Sequence, residues 1–88
     1  MPLMYDPNAL DGVPKKDVKM LVNKIEWVWQ HRHEIRHLAL KDNLIGYYKR
    51  RIDPYRIIYS YDNDNDTMIV HLIGTRDDIY QDAQRKLS

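Results

Sequence analysis

Between Pro14 and His31 the apolar residues recur at steps of three and four. Val18, Leu21, Val22, Ile25, Val28 and Trp29 form a single stripe, the pattern of an amphipathic helix. Pro14 suits the first turn, where its missing N–H would be unpaired in any case. Trp27 lies off the stripe and is expected at a packing edge. From Tyr47 the period changes to two. Strands are predicted over Tyr47–Ile52, Tyr55–Tyr61 and Thr67–Ile73, with Asp53-Pro54 and Asp62–Asp66 as the turns. These segments are dense in β-branched and aromatic residues, which pleated surfaces favour. Thr75, with Asp78 three residues on, has the form of a helix N-cap, and Asp77 favours the helix start through the dipole. Ile79, Ala83 and Leu87 then give the apolar stripe of a short final helix.

The remaining segments carry weaker patterns. Met1–Tyr5 is a candidate terminal strand. Asp6-Pro7-Asn8 and Asp11-Gly12-Val13-Pro14 are turn-like, and Ala9-Leu10 between them allows at most a turn or two of helix. HRHEIRHLALKDNLIG is predicted as a connection pinned to the core by Ile35, Leu38, Leu40, Leu44 and Ile45, ending near Gly46. The class is therefore α+β. A three- to four-stranded antiparallel sheet packs on an N-terminal helix or helical hairpin, and a short C-terminal helix is the one element left for the other face. At 88 residues the chain is expected to be a single domain spanning 1–88.

Composition narrows the function classes. The hydrophobic fraction is 43% and the charged fraction 31%, so a folded globule is expected. Cysteine is absent, which excludes disulfides and thiolate metal sites. No apolar run approaches the roughly 20 residues of a membrane-spanning helix. The opening MPLMYDPNAL lacks the basic start and apolar stretch of a secretory signal, and a cytoplasmic location is expected. Net charge is only +1, but its placement is uneven. Residues 49–56 hold four cations and one acid, whereas residues 62–66 hold three acids. Any anion-binding surface is therefore local.

Side chains alternate across a strand, so Lys49 and Arg51 share one face and Arg50 takes the other. In the next strand Arg56, Ile58 and Ser60 share a face, opposite Tyr55, Ile57, Tyr59 and Tyr61, which form the core set. A two-residue loop at Asp53-Pro54 pairs Arg51 with Arg56, and a four-residue loop pairs Arg51 with Ile58. Either register brings Lys49, Arg51 and Arg56 together on the face opposite the helix. Like charges directly across strands cost a few tenths to about 1 kcal/mol per pair. A solvated sheet face accounts for such residues, and so does a phosphate ligand, which Arg meets with a planar fork of donors. His31, His33 and His37 include an i, i+4 pair, but no third ligand beyond Glu34 is near in sequence, and no metal is expected. The face of His71 depends on the length of the Asp62–Asp66 turn.

LKDNLIGYYKRRIDPYRIIYSYDND, followed by VHLIGTRDDIY, resembles the RelE/ParE toxin superfamily of prokaryotic type II toxin–antitoxin systems. The shared pattern is a Leu and Gly lead-in (Leu40, Leu44, Gly46), a basic strand ending in Arg (Lys49, Arg51), and a Tyr-Arg pair opening an aliphatic strand (Tyr55, Arg56). An Arg then follows the last strand, with a Tyr four residues on (Arg76, Tyr80). The resemblance covers residues 38–81. It implies a compact RelE-like fold and a small antitoxin as partner. In the RelE branch it implies a ribosome-dependent endoribonuclease that cuts mRNA and inhibits translation. Operator DNA would then be met only through the antitoxin complex, and no membrane and no cofactor are implied. The ParE branch shares the fold but poisons DNA gyrase. A degenerate member would keep antitoxin binding alone.

The resemblance carries catalytic roles onto Lys49, Arg51, Arg56, Arg76 and Tyr80, and RNA binding onto Lys49, Arg51 and Arg56. Metal-free RNA cleavage needs a 2′-hydroxyl deprotonated, charge at phosphorus stabilised and a 5′-oxygen protonated. Arg51, Arg56 and Arg76 suit the stabilising role. Neighbouring positive charge favours neutral lysine and ionised tyrosine, so Lys49 or Tyr80 could act as general base or acid. With a helix starting at Thr75, Arg76 and Tyr80 would stand on one helix face. Their structural alternatives are a Tyr80 that covers the core edge and an Arg76 paired with Asp77 or Asp78. His71 is held as a reserve acid or base.

Overall fold

The structure, a computed structural model, describes residues 2–76 and 78–87. Its elements are β1 (Leu3–Tyr5), α1 (Lys15–Gln30), β2 (Leu38–Ala39), β3 (Tyr47–Ile52), β4 (Tyr55–Asp62), β5 (Thr67–Gly74) and α2 (Ile79–Leu87), with a 3₁₀ turn at Asp42–Leu44. The strands form one five-stranded sheet in the order β1-β5-β4-β3-β2. β1 runs parallel to β5 and the other pairs are antiparallel. The architecture is α+β, as expected, with two short strands added to the antiparallel core. β2 is too short at two residues to show a period. Among the described helices none is long and apolar enough to cross a membrane.

The sheet separates two cores, and β4 feeds both by strict alternation. Tyr55, Ile57 and Tyr59 turn toward α1, where they meet Leu21, Ile25, Val28 and Trp29 together with Met68 and Val70 of β5. Ile58 turns the other way, against Leu44, Ile79 and Ala83, with Leu40, Tyr47, Leu72, Tyr80 and Leu87 at the margin. The second face is thus covered by α2 and the 3₁₀ turn. Each fully buried Leu or Ile contributes roughly 1.5–3 kcal/mol.

Several local expectations are corrected. Of the aliphatics between His31 and Gly46, Leu44 is buried, Ile35 and Leu40 are half-buried, and Leu38 and Ile45 are exposed. Leu38 sits on the two-residue edge strand, and Ile45 follows the 3₁₀ turn that buries its neighbour. Trp29 is buried, whereas Trp27 stays 46% exposed and stacks on His31. His33 and His37 lie beyond the end of α1, so their spacing is not a helical one. The carbonyl of Arg32 can only accept, so Nε2–H of His37 donates to it at 2.8 Å. Nδ1 of the same ring is hydrogen-bonded to the Tyr59 hydroxyl at 2.7 Å.

The start of α2 is also corrected. The helix begins at Ile79, and Asp78, not Thr75, provides the carbonyl that accepts its first i→i+4 bond, from Asp82 N–H at 3.1 Å. A turn closed by Ile79 N–H on the carbonyl of Arg76, at 3.2 Å, precedes it. Arg76 therefore comes before the helix rather than on it. Asp77, expected at the helix dipole and in a pairing with Arg76, lies outside the described residues, as does Met1.

A bulge in β5 sets which side chains reach the second face. Ile58 pairs with Leu72 but Tyr59 pairs with Val70, so His71 is an extra residue on its strand. The inserted residue shifts the phase. Met68 and Val70 face α1, while Leu72 faces α2. The His71 ring is fixed at both nitrogens. Nδ1–H donates to the Asp6 carboxylate at 2.9 Å, and Nε2 is hydrogen-bonded to Ser60 Oγ at 2.8 Å. This relay fastens the segment after β1 to the middle of β4, and Tyr47 packs edge-on against the ring.

Candidate functional site

The β3–β4 hairpin turns through Asp53-Pro54, whose peptide bond is cis. A cis proline at the third position of a tight turn defines the type VI geometry. The two-residue loop selects one of the two registers open to the sequence: Arg51 pairs with Arg56, Lys49 with Ile58, and Arg56 in turn with Gly74. Ile58 belongs to the core beneath α2. By alternation Lys49, Arg51 and Arg56 therefore lie on that same face. This is the arrangement that parity predicts.

Gly74 brings the end of the sheet close to α2. A Cβ there would lie 3.3 Å from Cδ1 of Ile79, so a larger residue would press the first helical residue away. The row Arg51, Arg56 and Gly74 thus ends at the start of α2. Arg56 Nη1 donates to the carbonyl of Thr75 at 2.9 Å, which ties β4 to the segment that carries Arg76. One helical residue further, the Lys49 ammonium stands 5.2 Å from the centre of the Tyr80 ring, within cation–π range. Sheet cation and helix aromatic ring thus lie side by side.

Arg51 and Arg76 are less confined. Arg51 Nε donates to Asp53 at 2.6 Å, with side chains 69% and 72% exposed. An ion pair so open to water is worth roughly 0–1 kcal/mol, so an arriving phosphate can take the guanidinium. Arg76 is exposed in the turn before α2. The expectation that Arg76 and Tyr80 share a helix face does not hold, because the helix starts later. Among the described residues, Arg76 adjoins the group through its neighbour Thr75. Chemically, the face offers several guanidinium donors for a phosphodiester, with an amine and a phenol ring within cation–π range of each other at its border.

Two contributors were not found from sequence: the Thr75 carbonyl, which docks Arg56, and Gly74, which admits α2. A glycine closing a β-branched strand is the signal for the second, and a backbone carbonyl leaves no signal for the first. His71 shares the sheet face but is engaged by Asp6 and Ser60, so its place is in the architecture. Among the described residues, no group of three or more His, Cys, Asp or Glu could hold a metal ion.

Comparison with known proteins gives a consistent picture. No curated protein sequence matches the chain significantly. Among solved structures, it resembles the RelBE2 toxin–antitoxin complex of Mycobacterium tuberculosis, with a TM-score of 0.72 and 18% identity over 84% of this chain and 95% of that one. It also resembles the isolated Escherichia coli RelE toxin, with a TM-score of 0.63 and 18% identity over 98% and 97%. A third likeness is to the RelB-RelE antitoxin–toxin complex of Methanococcus jannaschii, with a TM-score of 0.60 and 20% identity over 89% and 95%. These likenesses are of fold. The family model described as "ParE toxin of type II toxin-antitoxin system, parDE" matches residues 9–80, most of the chain. The chain is thus a member of the ParE toxin family of type II toxin–antitoxin systems, within the RelE/ParE superfamily.

Proposed function

We propose that the protein is a RelE-like toxin, a metal-independent endoribonuclease that cuts mRNA on the ribosome and stops translation until a cognate antitoxin binds it. The observation that carries this is the contact of Lys49 with Tyr80 beside the Arg51–Arg56 pair. A ligand trap needs only the cations. A phenol and an amine held at their border add groups able to move protons. In the proposed reaction one of these two takes the proton of a 2′-hydroxyl, and that oxygen attacks the adjacent phosphorus. The bond from phosphorus to the 5′-oxygen breaks, the other group protonates the leaving oxygen, and a 2′,3′-cyclic phosphate and a 5′-hydroxyl result. Arg51, Arg56 and Arg76 offset the charge that builds on the phosphoryl oxygens, often the largest single catalytic contribution. The antitoxin partner is supported by the RelB-bound state of related folds, and operator DNA would be met through that complex. Cytoplasmic action follows from these partners.

A second function, gyrase poisoning, is favoured by one observation: the matching family model is the ParE one. The two are separated by inducing the chain in cells and mapping 5′ ends on a message and on the same message without its start codon. The nuclease should cut only the translated form, and the double variant Arg56→Ala/Arg76→Ala should lose both cuts and growth arrest while still binding antitoxin. A fully toxic double variant overturns the nuclease. Intact mRNA with broken DNA assigns the chain to gyrase.

A further inference from the structure

We propose that the cavity between α1 and the open edge of β3 is a second RNA subsite. It would take one nucleotide of a single-stranded segment, with its base against Trp27 and its phosphate between Arg50 and Lys24. The choice of RNA as ligand rests on the proposed nuclease function.

Trp27 starts the case. Its helix buries Leu21, Ile25, Val28 and Trp29, yet Trp27 remains 46% exposed. The indole is nonetheless braced. The His31 ring stacks on it at 4.1 Å and 20°, and is itself held where Nδ1–H donates to the Trp27 carbonyl at 2.8 Å. A large, flat, preset aromatic surface facing solvent is what stacking on a base requires, and it costs little ordering on binding.

The surrounding charge fits the same ligand. A cavity of about 340 Å³ beside Trp27 is lined by Lys24, Val28, Arg50, Arg51, Ile52 and Asp53, within the range of small-ligand sites. Lys24 and Arg50 supply the positive charge there, while Arg51 and Asp53 at the strand end pair with each other. The Arg50 guanidinium carbon is 5.9 Å from the centre of the Trp27 ring, near the outer limit of a cation–π contact. By contrast, Arg32 lies flat on Trp29 at 3.7 Å. Arg50 is thus beside the indole but not seated on it.

Strand geometry joins this cavity to the candidate site. β2 pairs with β3 at Tyr48 and Lys49, and among the described residues no strand pairing continues along that edge from Arg50 to Ile52. Alternation sends Arg50 toward α1, and Lys49 and Arg51 toward α2. Arg51 nevertheless lines the cavity from the strand end. A single strand of RNA crossing this edge would meet the Arg51–Arg56 pair on one side and Arg50 with Trp27 on the other. An acidic peptide would use the cations, but a flat braced indole beside them matches a base joined to a phosphate, so RNA is the better fit.

The test is binding, not cleavage. A fluorescently labelled 2′-O-methyl oligoribonucleotide, which lacks the attacking hydroxyl, is titrated against the full chain. Trp27→Ala should weaken binding about tenfold, within the range for loss of one base stack, and Trp27→Phe should restore most of it. Arg50→Ala should lower the slope of log affinity against log salt by about one. Wild-type affinity in both Trp27→Ala and Arg50→Ala overturns the subsite, as does equal competition by a poly-glutamate peptide. If binding depends on Trp27 but cellular mRNA stays intact, the subsite stands and the nuclease falls. If mRNA is cut while both variants bind normally, the reverse holds.

Discussion

Arg51 sits directly across the β3–β4 ladder from Arg56, two guanidinium side chains on neighbouring strands of one sheet face. A sheet selected for stability alone would put an acid at one of these positions. Arg51→Glu creates an opposite-charge cross-strand pair worth about 0.2–1 kcal/mol but gives up the exposed Arg51–Asp53 pair and sets a carboxylate beside Asp53, so it should leave the fold intact with stability changed by less than about 1 kcal/mol. The same change should abolish growth arrest if the face holds a phosphodiester. Urea denaturation and an induced-growth assay on one variant read both. A toxin that keeps full activity after Arg51→Glu would remove the pair from the site.

Tyr80 has two functions that one atom separates. Its ring packs against the second core and carries the Lys49 contact, while its hydroxyl is the candidate proton carrier. Tyr80→Phe keeps the ring and should leave the thermal midpoint and antitoxin affinity unchanged. It should lower the single-turnover cleavage rate by about 10²–10⁴, the usual contribution of general acid–base catalysis. Tyr80→Ala should lose stability as well. Equal cleavage by the Phe variant and the parent would mean that the phenol is only packing.

The bulged His71 links two distant parts of the chain through Asp6 and Ser60. His71→Ala removes a bond from Ser60 and from the part-exposed Asp6 carboxylate, which water can partly replace, and should cost about 1 kcal/mol. Hydrogen exchange should localise the loss to β1 and the upper half of β5, with β3 and the start of α2 still protected. Uniform loss of protection would contradict the relay as a local fastening.

How much of this was legible follows from which interactions are local. The limits of β3, β4 and β5 follow from period-two patterning, because each strand contributes to two cores and one flipped residue would misplace an apolar side chain. The common face of Lys49, Arg51 and Arg56 was legible by parity, since both allowed loops were even in length. The choice between those loops was not, and neither was the bulge. Residue 71 is inserted where its ring meets Asp6, 65 positions away, and no local pattern encodes that. The start of α2 differs because Thr75, with Asp78 three residues on, has the form of an N-cap with its acid, although Asp78 is itself a residue type that caps helices. The structure uses Asp78 and leaves the Thr75 carbonyl to Arg56. Arg76 thereby lost its place beside Tyr80 on the helix.

Tyr5 offers a change that should improve the protein. Its hydroxyl is buried without a hydrogen-bond partner among the described residues. Burial, with the Glu26 carboxylate nearby, pushes its ionisation up to about 12. Tyr5→Phe removes an unsatisfied polar atom and keeps the ring against the α1 core. A gain of about 1 kcal/mol is expected, read from the urea midpoint at unchanged m-value. A loss would show that the hydroxyl is bonded in solution.

Acid should open the molecule first where Arg32 meets Asp66. Arg32 Nε and Nη2 donate to the two carboxylate oxygens at 2.7 and 2.8 Å, and Nη1 donates to the Trp29 carbonyl at 2.8 Å. The residue after α1 is thus clamped to the β4–β5 turn. Hydrogen bonding from Arg32, helped by the Tyr61 hydroxyl, holds the Asp66 carboxyl down at about 2 against an ordinary 3.8. Between these values the unfolded chain binds the proton and the folded one does not. This part of the stability is therefore present above pH 3.8 and is lost as pH falls toward 2. Asp66 has a positive φ of 51°, a conformation that asparagine tolerates, so Asp66→Asn should preserve the backbone. The variant should be less stable than the parent at neutral pH, and the difference should shrink across that acid window. Thermal midpoints along a pH series test this; a gap that stays constant down to the lowest pH would exclude Asp66 as the titrating group.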